Sequence, residues 1–322
     1  MPARMSEALP ALEPDESADR PWLSWARRLL LLIVVVFVGT TLRRLGRDFR
    51  LSEVELHWPW LLVVTACLTA TNLMQAMAWV KLLSRMTHRV LPARPILLGF
   101  MAGQLARYIP SGKVALLVVR TAAINQLGLS KRLVASSIGI EVLSWLTMGM
   151  LIGTAALFAT GNDAAGLGPF LSTWSLPLAI ATVTAIVILV VVDRKHFPAW
   201  ALRAIRADGT GPLMTLPVLG WQAASWSGAV LQGVLLPFAV GASFAQAWPN
   251  VGMFLLAPIA GFLALVAPGG LGVREAILSY ALMPQLGASK ALCVALLARA
   301  TFVVSEVISW GIVRWLARSK IE

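Results

Sequence analysis

The sequence predicts an all-α polytopic membrane protein, with about six transmembrane helices plus two oppositely oriented re-entrant helical hairpins in an inverted-topology repeat. Three observations predict it. First, 58% of the 322 residues are hydrophobic and only 13% charged, with a mean hydropathy of +0.78, whereas soluble domains carry about a quarter charged residues. Second, the charge shortage is concentrated in repeated apolar runs near the ~20 residues that a bilayer requires. Third, two of these runs are broken in the middle by Pro and Gly. The 13 Trp against 2 Tyr agree, since amphipathic rings gather at membrane interfaces.

In chain order, residues 1–26 read as a flexible cytoplasmic tail, mixing Pro and Ser with Glu13, Asp15, Glu16 and Asp19. Arg27 and Arg28 then precede an apolar run over 29–42, closed by Arg43 and Arg44. No small-residue cleavage site follows it, so it reads as a first helix rather than a signal peptide. Full spans are expected at 58–80, 132–159, 171–192, 217–240 and 289–316. The stretches 95–127 and 251–286 are also apolar, but Pro110-Ser111-Gly112 interrupts one and Pro268-Gly269-Gly270 the other. Their arms are short for spans and long enough for hairpins. Broken backbone at membrane depth persists only where it is buried in protein or lines a cavity. The chain thus divides into a first membrane repeat over 27–170, with its hairpin at 95–127, and a second, inverted repeat over 171–322, with its hairpin at 251–286.

A net charge of +12 in a soluble protein would suggest nucleic acid. Here the basic residues lie mostly in short stretches between apolar runs, so orientation explains them. With both termini in the cytoplasm and both broken stretches returning to the side they left, only Arg43, Arg44, Arg47, Arg50 and Lys290 fall outside, as the positive-inside rule asks. The four outer arginines of the 43–57 loop are offset by Asp48, Glu53 and Glu55. In this topology the first hairpin opens from the cytoplasm and the second from the opposite face.

Short self-similarities support the repeat. Gln126-Leu127-Gly128-Leu129-Ser130-Lys131 returns as Gln285-Leu286-Gly287-Ala288-Ser289-Lys290, and Glu141-Val142-Leu143-Ser144-Trp145 as Glu306-Val307-Ile308-Ser309-Trp310, the second pair requiring an insertion. Inverted repeats with broken helices at corresponding places are a transporter signature, with the substrate held at the repeat interface.

Five basic residues fall at membrane depth, Arg107, Lys113, Arg120, Arg274 and Arg299, with three acids, Glu141, Glu275 and Glu306. The positive excess is costly in a low-dielectric place, and an anionic substrate would offset it. Half-helices starting near Lys113 and Leu271 would aim positive dipole ends at the same place. Each residue also has a bland reading. Arg107 and Arg120 also read as side chains that snorkel to a nearby cytoplasmic edge. Arg299 and Glu306 share one helical face and could each pair with a charge on a neighbouring helix. Glu141, deep in a long apolar span, and Arg274, beside the second break, favour function. Asn72, Gln75, Gln104, Gln222 and Gln232 read as links between helices.

Other chemistries find little support. His57, His88 and His196 sit at predicted membrane edges without metal-ligand spacing, so no metal is expected. No Asp at membrane depth is available to hold magnesium. A Gly-rich nucleotide loop is absent, as is a nucleophile with an interior His. Cys67 and Cys293, both within apolar runs, read as reduced packing residues. No enzyme activity, cofactor or nucleic-acid partner is expected.

Pro268-Gly269-Gly270-Leu271-Gly272-Val273-Arg274-Glu275, followed by Gly287, resembles the C-terminal signature of a bacterial and archaeal flippase-like family. That family includes the lysylphosphatidylglycerol synthase transmembrane region and the flippase domain of multiple peptide resistance factor. Tyr108-Ile109-Pro110-Ser111-Gly112-Lys113-Val114, with Arg120 and Glu141, is similar to its N-terminal motif. The resemblance covers about 57–316. It implies movement of lipids or lipid-linked intermediates between leaflets, the substrates being aminoacylated phospholipids, polyprenyl-linked glycans and other envelope lipids. With no aminoacyl-transferase domain after residue 322, synthesis of an aminoacyl lipid is not expected.

The resulting expectation is a lipid flippase of the bacterial inner membrane. Lys113 and Arg274 at the hairpin tips would hold an anionic headgroup, assisted by Arg120 and Arg299. Glu141 and Glu306 would pair with these cations and take up protons when the headgroup leaves, and Glu275 adjoins them. Pro110, Gly112, Pro268, Gly269 and Gly270 would make the hairpin breaks. A secondary transporter of a small soluble anion and a membrane partner subunit of an envelope-lipid transferase remain the alternatives. A second copy of the chain or an envelope-biosynthesis enzyme would be further partners.

Overall fold

A computed structural model describes residues 54–108, 112–160, 215–264 and 270–318, with Arg43 and scattered positions between 177 and 196. The tail 1–26, the run 29–42, most of 171–192 and the break residues Pro110, Pro268 and Gly269 lie outside the described residues. So does the side chain of Lys113.

The described residues are helical and contain no strand. Helix α1, Trp58–Thr87, starts with Pro59 in its first turn, where the missing N–H costs nothing. It runs past the expected end at 80, because Leu82 and Leu83 continue its buried stripe while Lys81 and Arg85 face outward. His88 closes it in the left-handed conformation, φ 52°.

Helices α2, Ala93–Ala106, and α3, Gly112–Ile124, fold back on each other. Gly99 lies against Ala123, and Gly103 against the Arg120 side chain, so the two run antiparallel. A turn over Asn125–Leu127 and Gly128 lead to α4, Lys131–Thr160.

Helix α5, Leu216–Leu235, tightens into a 3₁₀ segment, Leu236–Val240, over the last part of the expected 217–240 span. A single turn, Phe244–Ala247, is held by a capping box between Ser243 and Gln246. Helix α6, Val251–Leu263, then folds back on the start of α7, Val273–Arg318. Gly261 meets Gly270 at one end, and Gln246 and Asn250 bond to Gln285 at the other. Within α7 the expected hairpin arm and final span remain distinct, two helices that meet at a kink at Gly287 (φ 73°, ψ 165°).

A long helix, an antiparallel pair and a second long helix therefore occur twice, in the same order. The first long helices of the two sets cross. The His57 N–H donates to Ala239 O at 2.8 Å, and a Cβ on Gly228 would stand 2.2 Å from Thr71 Oγ1. Residues at the start of α1 thus meet the end of α5, and the two helices are antiparallel. The pairs are exchanged between the sets. Helix α6 packs on α4, with Gly153 against Leu256 and Gly252 against Leu157, while α2 packs on α7.

Helices α1, α4 and α7 and the Leu216–Val240 segment are long and apolar enough to cross a membrane. They also carry large apolar side chains on the outside; Leu62, Phe158, Leu216 and Trp315 are 67–73% exposed. Lipid solvates such a surface and water does not. The protein is all-α, with the composition and helix lengths of a membrane protein.

Candidate functional site

The two antiparallel pairs meet α1, α4 and the rest of α7 around a cavity of about 100 Å³. Glycines make this approach possible. Gly103 on α2 leaves room for Arg120, whose Cγ would stand 2.6 Å from any added Cβ. Gly270 has φ 71°, and a Cβ there would meet the Gly261 backbone at 2.8 Å, so only glycine closes that end of the second pair.

Arg120 is 1% exposed, and its Nη1 lies 2.9 Å from Glu141 Oε2. Its guanidinium also stacks over Phe100 at 4.0 Å, a favourable place for a cation away from water. Gln75 of α1 donates to the other Glu141 oxygen at 3.2 Å. On the opposite side, Arg107 at the end of α2 pairs with Glu306 of α7, and the Tyr108 hydroxyl donates to the same carboxylate at 2.6 Å. Arg299 lies 3.8 Å from Glu275 and over the Tyr108 ring. Glu275 also accepts from the Gly272 N–H at 2.7 Å, satisfying a donor at the start of α7.

Arg274 differs from these three. It is 4% exposed and lines the cavity. Its partner is neutral: Nη2 donates to Gln232 Oε1 at 3.1 Å. Gln232 in turn uses its amide N–H groups on Ala298 O and Thr301 Oγ1, at 2.9 and 3.1 Å, which turns its carbonyl toward Arg274. Arg274 Nε has no hydrogen-bond partner, and among the described residues no carboxylate forms an ion pair with it. Phe302 lies under the cation at 4.9 Å.

The expected residues Arg120, Glu141, Arg274, Glu275, Arg299, Glu306 and Gly270 are thus within one cluster. Gly112 begins α3, and the second half-helix starts at Val273, close to the expected Leu271. Two expectations change. Arg107 and Arg120 do not snorkel to an edge; both turn inward to carboxylates. Glu306 pairs with Arg107 rather than with any of the four cations expected to hold the headgroup. Sequence reasoning missed Tyr108, and it took Gln75, Gln104 and Gln232 only as links. Asn72 does link helices, donating to Ser305 at 3.0 Å, as does Gln222 to Ser144 at 3.1 Å. Gln75 and Gln232 instead orient charged groups at the cavity. The signal for Tyr108 was its place two residues before the first break.

Among the described residues, no three His, Cys, Asp or Glu side chains gather as metal ligands would. Cys67 and Cys293 are free thiols. What the cavity offers is preorganised positive charge with aromatic walls from Trp145, Phe262 and Phe302, suited to holding an anionic group. No protein-family model matches the chain, and no curated protein matches it.

Proposed function

We propose that this protein translocates an anionic lipid between the leaflets of a bacterial inner membrane, binding the headgroup at Arg274 in the cavity between the two helical pairs. One observation carries the reading. Arg274 is a buried cation with a neutral partner, facing a cavity built from both sets of helices. A buried charge without a counter-charge is costly, and a site that retains one has a use for it. Only a headgroup must enter a cavity of about 100 Å³, because acyl or prenyl tails stay in the bilayer.

In this reading the two antiparallel pairs are re-entrant hairpins of opposite orientation. The two sets form an inverted repeat within a six-span protein whose termini are cytoplasmic. Antiparallel α1 and α5 support it, as does the resemblance of 108–114 and 268–275 to the flippase-like family. Arg120 and Arg299 support the headgroup, and Lys113 belongs to the same arm as Arg120. Glu141 and Glu306 are the groups that would take up protons as it leaves.

The test is leaflet exchange in liposomes with tail-labelled anionic, zwitterionic and lysyl-modified lipids, with and without a proton gradient. Headgroup-selective exchange that Arg274→Ala abolishes supports the reading. Exchange unaffected by Arg274→Ala removes the headgroup assignment. The small cavity also favours a second reading, a transporter of a compact soluble anion, which anion uptake without lipid exchange would support.

A further inference from the structure

We infer that Phe302 is a positioning residue whose ring holds Arg274 apart from Glu306 and so keeps the guanidinium available to an anionic ligand. The inference rests on the binding role proposed above for Arg274 and adds the residue that preserves it.

Opposite charges attract strongly away from water, so a cation that stays unpaired close to carboxylates needs a barrier. Among the described residues, three carboxylates form ion pairs in this cluster, none of them with Arg274. Glu141 is engaged by Arg120 and Gln75. Glu275, although next in sequence, turns to the Gly272 N–H and to Arg299. Glu306 accepts one bond on each oxygen, from Arg107 on Oε1 and from Tyr108 on Oε2. A carboxylate oxygen can accept two, so Glu306 has capacity for a second guanidinium. It lies one turn beyond Phe302 on the same face of α7.

The Phe302 ring stands between these claims. Its centre is 4.9 Å from the Arg274 guanidinium carbon and 5.2 Å from that of Arg107. One ring thus touches the unpaired arginine and the arginine already bonded to Glu306. A π face attracts a cation without neutralising it, which a carboxylate would do. The ring also lines the cavity and packs against the buried apolar cluster that includes Leu278 and Ala298, so its place is fixed by the fold. Leucine at this position is smaller and has no π face, which opens the way from Arg274 to Glu306.

The full-length protein is reconstituted in phosphatidylcholine liposomes with increasing tail-labelled phosphatidylglycerol, and leaflet exchange gives a half-saturating fraction. Phe302→Leu should raise that fraction at least about tenfold, because most Arg274 is then engaged by Glu306. Phe302→Tyr keeps the ring and should stay within about twofold of wild type. In a Glu306→Gln background Phe302→Leu should change the fraction by less than about twofold, since the competing carboxylate is gone. Loss of packing alone would give the same ratio in both backgrounds. If the Glu306→Gln variants do not fold, thermal unfolding decides. Phe302→Leu should then lose the phosphatidylglycerol-dependent rise in Tm, whereas a mere packing defect lowers the unliganded Tm and keeps the rise.

A Phe302→Leu fraction equal to wild type, or a rise that persists in Glu306→Gln, overturns the spacer role. Arg274 binding still stands in that case if Arg274→Ala abolishes exchange. Dimethyl phosphate supplied outside the same liposomes separates a soluble source from a lipid one. Its uptake without lipid exchange, with the same order of variants, supports the spacer role and replaces the lipid reading. Movement of neither probe by the wild type overturns both.

Discussion

The Tyr108 hydroxyl donates to Glu306 at 2.6 Å across 198 residues of chain, joining the end of α2 to the last long helix. Arg107 pairs with the same carboxylate, so one acid, 1% exposed, ties the first helical pair to the second set of helices. Tyr108→Phe removes one bond and almost no volume. The expected loss is about 1.5–3 kcal/mol, the range for hydrogen bonds to charged groups. Glu306→Gln should cost more, near the lower end of about 3–5 kcal/mol because Arg107 retains some exposure. Thermal unfolding in detergent checks the order; equal Tm for wild type and Tyr108→Phe would show that the bond contributes nothing.

Gln232→Leu tests whether the amide positions Arg274. It shortens the side chain by one atom and deletes the acceptor at 3.1 Å together with the two donor bonds to α7. A drop in stability of about 1–3 kcal/mol is expected from the newly unsatisfied cation. Affinity for an anionic ligand should fall as the guanidinium loses its fixed orientation, whereas Gln232→Asn should behave similarly if reach matters. Unchanged ligand binding by Gln232→Leu would limit Gln232 to linking α5 and α7.

Gly149 and Gly220 offer a paired packing test. A Cβ on Gly149 would stand 2.1 Å from the Trp226 ring, which stacks on Trp145 of the cavity wall at 4.7 Å. Gly149→Ala should destabilise by about 1–3 kcal/mol through overpacking and disturb the site through Trp145. Nothing lies within 4 Å of a Cβ on Gly220, so Gly220→Ala should stabilise α5 by about 0.5–1 kcal/mol. Similar shifts for the two variants would contradict the packing described.

Gly128 and Gly287 occupy matching places between a helical pair and the long helix that follows, yet their backbones differ. Gly128 is left-handed helical at φ 67°, ψ 18°, a region Asn tolerates. Gly287 at φ 73°, ψ 165° lies in a region essentially reserved for glycine. Gly128→Asn should therefore cost under about 1 kcal/mol and Gly287→Asn about 1–3 kcal/mol. Comparing their Tm values decides it. Neither site has an atom near its added Cβ, so backbone conformation alone is being tested.

Much of this arrangement was legible because apolar runs and their interruptions obey simple length rules. The long helices fall close to their expected spans, and the two broken stretches fold back on themselves. Charges stranded in apolar surroundings were a sound guide to the cluster, since Arg120, Glu141, Arg274 and Glu306 had few ways to be accommodated. Their pairing was not legible. Whether Glu306 meets Arg107 or Arg274 depends on how α2 docks on α7, a contact that no local pattern encodes. Gln232 was equally hidden: a glutamine on an apolar helix reads the same whether it bridges backbones or aims a guanidinium. The boundary between the second hairpin arm and the final span was legible, because Gly287 marks the kink at which two helices meet.

The exchanged packing of the helical pairs bears on the order in which the protein is made. Helix α4 is synthesised well before α6, the element that covers it, and Arg107 precedes Glu306 by 199 residues. Through most of translation the first set of helices thus waits with an open flank and an arginine whose acid has not yet emerged. The two sets cannot mature as independent modules joined afterwards. Emergence of α6 closes the first of these cross-set contacts and completion of the final helix the second, so a chain arrested before the end of α7 would present the insertion machinery and quality-control proteases with an unfinished seam.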